Sequence, residues 1–405
     1  IKYAENTALI SSPRLLIVLF LFLAGCQDAQ PPVDCNCPEV EPPVVEEKKE
    51  VKFKPYSFLK ETYWSDIEHA LSEDYLILAW PAWMRSCSTL INKKPWRKVC
   101  EQAYLIGSSP SNDEIINYYR NYFNLYQATN NDGSKEGLIT GYYQPVLKGN
   151  WEKTKKYNIP LYSIPDDLIT VNLSEIYPDL KYKRLRGRVE GNKLVPYFTR
   201  DEITKKVAPL KGNELVWVNN AVEAFFLEIQ GSGVIEFNNG KRIQIGYADQ
   251  NGHPYRSMGR ALIRAGELQR GKVSMQSIKK WAKNNKKKLR KFLSANPSYV
   301  FFRILPEGLP GPIGALGVPI TSERSVAIDR RYVPLGAPIF LKTTKPNTDI
   351  PIKQLMIAQD TGGAINGGVR ADFYWGQGNE AGKMAGKMKQ DGRIWVLLPK
   401  GFKLP

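Results

Sequence analysis

The chain has 405 residues, 42% of them hydrophobic, enough to bury real cores and to set an expectation of two domains. Against 40 Asp and Glu stand 57 Lys and Arg, a net charge of +17, which favours an anionic surrounding: nucleic acid, acidic lipid or an acidic cell-wall polymer. The two histidines, His69 and His253, lie far apart, and neither His-Glu-x-x-His nor zinc-type cysteine spacing occurs, so no metal and no cofactor are expected.

The first forty residues address the question of compartment. Arg14, the apolar run from Leu15 to Leu23, then Ala24, Gly25 and Cys26 read as a signal peptide over 1–25, too short in its apolar part to span a bilayer. Leu23-Ala-Gly-Cys26 resembles a bacterial lipobox, in which cleavage leaves an acylated Cys26 at the N-terminus; an ordinary secretory signal with a chance cysteine is the alternative. Gln27, rather than Asp, after that cysteine resembles an outer-membrane sorting signal. The expected location is therefore the periplasmic face of the outer membrane, with the membrane held through the lipid on Cys26. Residues 26–54 are rich in Pro and charge (Pro31-Pro32, Pro42-Pro43, Glu46 to Glu50) and read as a flexible linker, reaching at most ~85 Å at ~3.1 Å per residue. Cys87 and Cys100 flank a short loop and are candidate disulfide partners, worth roughly 3 kcal/mol. Cys35 and Cys37 are too close together to pair easily and take no role.

Beyond the linker the pattern starts helical. Apolar spacing predicts a helix from Asp66 to about Trp80, and Ser111-Asn-Asp-Glu114 is a capping box opening a helix with Ile115, Ile116, Tyr119, Phe123 and Tyr126. After Gly137 come short β-prone runs divided by Gly, Asn and Pro: Gly141 to Pro145, Leu194 to Tyr197, Leu215 to Val218, Ala224 to Gln230 and Lys241 to Tyr247. Asn238-Asn-Gly240 predicts a hairpin between Val234–Phe237 and Arg242–Ile245. Helix returns from Met258 to Phe292. Its basic run from Lys279 to Lys291 is either a polyanion site or the solvated face of a helix whose apolar side carries Met275, Ile278, Trp281, Leu289 and Phe292. No aromatic-interleaved nucleic-acid module accompanies it, so nucleic acid is not expected as a partner. Strand-type runs resume at Tyr299–Arg303 and continue to Trp395–Leu398.

The last hundred residues carry the chemistry. Ser325-Val-Ala-Ile-Asp329, Leu355-Met-Ile-Ala-Gln-Asp360-Thr-Gly-Gly and Val369-Arg-Ala-Asp372-Phe-Tyr-Trp-Gly376 each set an aspartate beside apolar residues and turn glycines. Any one of them alone reads equally as a turn cap, because Asp binds local N–H groups. Three together suggest a carboxylate cluster with at least one raised proton affinity. Ser-His-Asp catalysis lacks a Gly-x-Ser-x-Gly elbow, which Gln230-Gly-Ser-Gly233 only approximates. Two carboxylate chemistries remain. A single Asp-Thr-Gly would need a symmetric dimer to act as an aspartic protease. Glycosidic cleavage needs one protonated carboxyl and a groove with aromatic platforms and amide or hydroxyl donors, for which Tyr142, Tyr143, Tyr197, Tyr374, Trp375, Gln230 and Ser232 are candidates.

Taken with Gly141-Tyr-Tyr, Pro196-Tyr-x-x-Arg200, Phe225-Phe-Leu-Glu-Ile-Gln-Gly-Ser-Gly233, Tyr247-x-x-x-Asn-Gly-His-Pro-Tyr255 and Asn296 to Phe302, the three aspartates resemble the membrane-bound lytic murein transglycosylase A family, from about Pro55 to Pro399. The resemblance implies a mainly β fold with helices (α+β): a double-psi β-barrel from 55–142 plus 300–400, an inserted β-rich substrate-binding domain over 143–299, and a groove between them. It implies catalysis by Asp372 with Asp360 and Asp329 nearby, and substrate contacts from Gln230, Gly231, Ser232, Gly233, Tyr142, Tyr143, Tyr197, Tyr374, Trp375 and Gly376. It further implies peptidoglycan glycan strands as partner, a monomer, and scission of the β-1,4 bond from N-acetylmuramic acid to N-acetylglucosamine with a 1,6-anhydromuramoyl product. A non-catalytic peptidoglycan-binding lipoprotein is the second reading. Two positions depart from the family pattern: Gln144 stands where Glu often follows Gly-Tyr-Tyr, and Glu228 where Gln is common. Read as a strand, Ala224–Gln230 puts Glu228 on the face of Gln230 and leaves open whether it points into the groove, where it would make a two-carboxylate hydrolysis conceivable.

Overall fold

A computed structural model describes residues 54–205 and 209–404. The signal peptide, Cys26 and the linker cysteines Cys35 and Cys37 lie outside the described residues.

The expected helix from Asp66 to Trp80 is broken into short turns at Trp64–Asp66, Glu68–Ser72 and Leu76–Leu78 before a full helix runs over Trp80–Leu90. The reason is tertiary. Buried Asp74 leaves the helical pattern to accept both terminal nitrogens of Arg324 (2.8 Å each) and the N–H of Leu355 (2.7 Å), fastening this lead-in to the strand Pro351–Thr361, 281 residues on at Leu355. Helices Arg97–Ile106 and Asn112–Tyr122 follow, the second opened by the Ser111/Glu114 capping box, and a disulfide joins Cys87 to Cys100 (Cα–Cα 5.2 Å).

Six strands close into a barrel in the order Lys389–Pro399, Pro338–Thr344, Pro351–Thr361, Ser325–Ile328, Ala371–Gln377 and Gly137–Gln144, the last pairing back to the first. Leu59–Thr62 and Phe123–Ala128 extend the sheet at Lys389–Pro399. Closure leaves this ring without free edges, which is the barrel's answer to edge-strand pairing. One face of these strands (Ile139, Val326, Ile328, Phe373, Trp375) joins the main hydrophobic core with the lead-in helices.

From Gln144 the chain passes through Pro145 directly into a second sheet, ordered Val300–Ile304, Arg242–Gln250, Ser232–Glu236, Val146–Asn150, Glu214–Val218 and Ile159–Tyr162. The Asn238-Asn-Gly240 hairpin joins two of its strands. A three-stranded sheet, Ile169–Val171, Leu185–Glu190 and Lys193–Pro196, completes the insert. The helical stretch expected from Met258 to Phe292 is divided into three helices, Met258–Arg264, Met275–Asn284 and Lys286–Ser294. Gly266 and Gly271, both at positive φ, turn the chain between the first two. In the basic run Lys279 pairs with Glu223, Lys288 with Glu267 and Arg290 with Asp201, and the apolar side packs around Trp281 and Phe292. It is the solvated side of two consecutive packed helices.

The largest correction concerns Ala224–Gln230, which is not a strand but the body of a helix, Ala221–Gln230. Its apolar run is buried nearly all round, a case in which periodicity cannot separate strand from helix. The local signals decide. Asn220 accepts from the N–H groups of Val222 and Glu223, and Gly231 ends the helix in the left-handed conformation at φ 77°.

Candidate active site

Strand register builds the site. Asp360 pairs with Ala327, Ala327 with Asp372, and Asp372 with Thr140, so four adjacent strands present these residues in one row. Directly paired residues point to the same face, and here it is the face turned away from the main core. The two carboxylates are two strands apart, roughly 9–10 Å at ~4.8 Å per strand, with Ala327 on the strand between them. Tyr142 and Tyr374, two residues along from Thr140 and Asp372, share the face and pack on each other at 5.1 Å, enclosed by Ile320 and Ile365.

The two aspartates are held differently. Asp360 accepts from the N–H groups of Thr361 (2.8 Å) and Ala315 (3.0 Å) on Oδ1 and from the Tyr142 hydroxyl (3.1 Å) on Oδ2. Its pKa is nonetheless raised, because burial outweighs those donors. Asp372 is half-buried and accepts one bond, from the Thr140 hydroxyl to Oδ1 at 2.6 Å. Arg370 donates from Nη2 to the same hydroxyl (2.9 Å), so the single proton of Thr140 is directed at Asp372. Oδ2 of Asp372 has no partner among the described residues. Burial, with Asp360 adding to it and Thr140 and Arg370 opposing, pushes the pKa of Asp372 up to about 6. A carboxyl titrating there, with one free oxygen, can give and take a proton near neutral pH.

Asp329 does not join this pair. Its carboxylate is forked by Arg331 (2.9 and 2.6 Å) and accepts from Gly367 (3.0 Å), so the third aspartate ties down the glycine loop before Asp372. Trp375 alternates to the opposite face, packs at a tilt against Phe373 with ring centroids 4.5 Å apart and donates to the Met388 sulfur, so it belongs to the core rather than to a sugar platform. Gly141 is the residue that lets it in: a Cβ there would come within 2.7 Å of the indole nitrogen. Tyr143 faces the same way, towards Met275, and Tyr197 lies in a separate cluster with its hydroxyl donating to Asp167. Tyr374 is too buried, at 3% exposed, to stack on a ring.

Gln230 stands at the junction of the two sheets. Its Oε1 accepts the Tyr143 N–H at 2.9 Å, which leaves its amide nitrogen without a partner among the described residues. Gly231 is the helix cap, Ser232 is buried, and Gly233 gives Leu227 and Pro145 their close approach; Gly376, at φ 99°, turns the chain against Ser322. Gly231, Ser232 and Gly233 belong to the junction, and Gly376 to the barrel strand. Glu228 offers the site no second carboxylate: Arg200 grips it from both terminal nitrogens (2.7 Å each), and it also accepts from the Val300 N–H at 3.0 Å. Gln144 is buried and donates to Gln244. Among the described residues no group of three or more His, Cys, Asp or Glu is placed to hold a metal ion.

Thr140, Arg370, Ala327 and Ala315 were not candidates from the sequence. Alternation from Tyr142 could have put Thr140 on the right face, but nothing in the chain announces which strand lies beside it.

Residues 138–303 match the family model described as MltA specific insert domain, and residues 324–398 match that described as 3D domain. The membrane-bound lytic murein transglycosylase A of Vibrio cholerae is 32% identical over 284 residues, spanning 68% of this chain and 69% of that protein. The crystal structure of MltA from Neisseria gonorrhoeae, monoclinic form, superposes with a TM-score of 0.74 at 38% identity, covering 85% of this chain and 93% of that one. That of Escherichia coli MltA with bound chitohexaose gives a TM-score of 0.58 at 27% identity, covering 79% and 89%.

Proposed function

The chain belongs to the membrane-bound lytic murein transglycosylase A family, and from that membership we propose that it cleaves the β-1,4 bond between N-acetylmuramic acid and N-acetylglucosamine with Asp372 as sole acid and base. The observation that carries the assignment is the free Oδ2 on a carboxyl whose pKa is pushed up to about 6. Protonated Asp372 gives its proton to the leaving glycosidic oxygen. The resulting carboxylate takes the proton of the muramic acid C6 hydroxyl as that oxygen bonds to C1, closing the 1,6-anhydro ring and returning the enzyme to its starting state. The nucleophile belongs to the sugar, so one acid/base group suffices.

Asp360 supports the reaction from a distance. Its own oxygens are occupied by Ala315, Thr361 and Tyr142, so it is poorly placed to activate water, while its charge raises the proton affinity of Asp372. The separation of about two strands is also far from the ~3 Å at which aspartic proteases share a proton. Gln230 would use its unengaged amide nitrogen on a substrate carbonyl, and the insert, 143–299, would form the second wall of the groove. Relatives named membrane-bound support a membrane-associated protein; the lipid on Cys26, the outer membrane and a monomeric state complete the proposal. Among the described residues no helix is long and apolar enough to cross a membrane.

Mass spectrometry of fragments released from purified sacculi tests the reading. Anhydromuropeptides are expected; reducing ends would mean hydrolysis by water, and tight binding with no release would favour an adhesive protein. Activity should fall as pH rises through about 6, because the acid must start protonated. Thr140→Val removes a hydrogen bond that favours the ionised form, so the pKa of Asp372 rises and the alkaline limb of the pH profile should move to higher pH, with Thr140→Ser restoring it. An unmoved limb would contradict the role given to Thr140.

A further inference from the structure

We propose that Arg184, with Lys181, Lys183 and Arg330 around it, forms a subsite for the carboxylates of the peptide stems that murein strands carry. This rests on the transglycosylase reading and extends it from the glycan to what hangs from it.

Lys181, Lys183 and Arg184 sit on an arm that reaches from the insert to the barrel, where Arg330 stands. At its root, Arg186 donates from Nε to Asp249 (2.8 Å) and Gly252, at φ 80°, lies so close that a Cβ there would meet the Arg186 nitrogen at 3.0 Å. At its far side, Arg330 of the barrel lies over the Tyr182 ring at 5.7 Å. Between these points Arg184 approaches the Asp360-Thr-Gly-Gly turn: a methyl on Gly363 would sit 3.8 Å from its Nη1. Its charge bears on Asp360 from one side and on Tyr247 of the insert from the other.

Cations held this way usually meet a carboxylate of their own protein. Arg186 has Asp249 and Arg331 has Asp329, yet among the described residues Lys181, Lys183, Arg184 and Arg330 form no ion pair. Arg184 is exposed and has no hydrogen-bond partner there. The glycan backbone is neutral and gives these charges nothing to bind. The peptide stem is different: it carries free carboxylates and hangs from C3 of the same muramoyl ring whose C1 reacts at Asp372. A guanidinium beside Asp360 is therefore within a stem's reach of the scissile bond, and its planar fork suits a carboxylate.

The test compares stem-bearing glycan strands with the same strands stripped by an amidase and then amidated at the lactyl carboxyl that the amidase exposes, so that the control carries no anion, using the full chain at low salt. Wild type should turn over the stem-bearing strands with a kcat/KM about tenfold higher, a preference that shrinks as salt screens the charges. Arg184→Ala should cut the ratio of the two kcat/KM values about fivefold through KM on the stem-bearing strands, and Arg184→Lys should keep part of it. Using the ratio within each protein cancels any effect of Arg184 on Asp360. Equal turnover of both strands by wild type, or a ratio unchanged in Arg184→Ala, would overturn the subsite while leaving the transglycosylase reading intact. If neither strand is cleaved, that reading fails, and direct binding of the two strands still decides the subsite: equal affinities would end it.

Discussion

Asp372→Asn is expected to reduce release of anhydromuropeptides from sacculi by at least about a thousandfold, within the 10²–10⁴ that a positioned acid/base contributes and near its upper end because one group serves both halves of the reaction. Asn keeps the size of the side chain and still accepts from Thr140, but it has no proton to give to the leaving oxygen. The fold should survive. Burial raises the pKa of Asp372, so its ionised form is less favourable in the folded chain than in the unfolded one. The associated stability is fully present below the ordinary carboxylate range and is lost as pH rises through about 6. Removing the charge should therefore leave the neutral-pH melting temperature at or above that of wild type. Retained release would dismiss Asp372 as the acid, and a variant that melts early would make the loss uninformative about chemistry. In that second case Asp372→Glu, which keeps the acid but displaces it, separates the two by its residual activity.

The second large effect is structural. Arg200→Ala should destabilise the chain by about 3–5 kcal/mol in chemical denaturation, the usual cost of leaving one partner of a buried ion pair behind. Both side chains are nearly closed to solvent, and burial of Glu228 without Arg200 strands a charge against the Phe225 and Tyr299 rings that now flank the guanidinium. Arg200 also donates from Nε to the Asn296 carbonyl (3.0 Å), and Glu228 receives the Val300 N–H, so the pair joins the helix Ala221–Gln230 to the strand Val300–Ile304. A loss under 1 kcal/mol would mean that solvent reaches the pair. Substituting both residues with apolar ones of similar volume should recover much of the loss, since a well-packed replacement of a buried pair is often neutral.

That knot also explains what the motifs were for. Pro196-Tyr-x-x-Arg200, Phe225 to Gly233, the Asn251 region and Asn296 to Phe302 stand out in the chain as if all of them served the groove. Several instead serve each other. Asn251 donates to the carbonyls of Phe198 and Pro297 and accepts the Tyr299 N–H, while Arg200 and Glu228 lock the same segments. Striking residue types at motif spacing mark any site where polar groups must be satisfied in a low-dielectric interior, and a structural knot demands this as strictly as a catalytic one.

The sequence by itself determined the three acid-bearing strand ends, the hairpin at Asn238-Asn-Gly240, the capping box at Ser111 and the family. Those are local facts: alternation, turn residues and caps act within a few positions, so they are written within a few positions. Only the tertiary structure decided which aspartates meet. The register that sets Asp360, Ala327, Asp372 and Thr140 in one row depends on four strands drawn from two distant parts of the chain, 137–144 and 325–377, and a slip of one residue would turn Asp372 into the core and Trp375 outwards. It likewise decided that Asp329 belongs to Arg331, that Glu228 belongs to Arg200, and that an apolar run with a cap at each end is a helix. A proton affinity is a property of surroundings, and the surroundings of Asp372 are assembled by pairing between segments far apart in the chain.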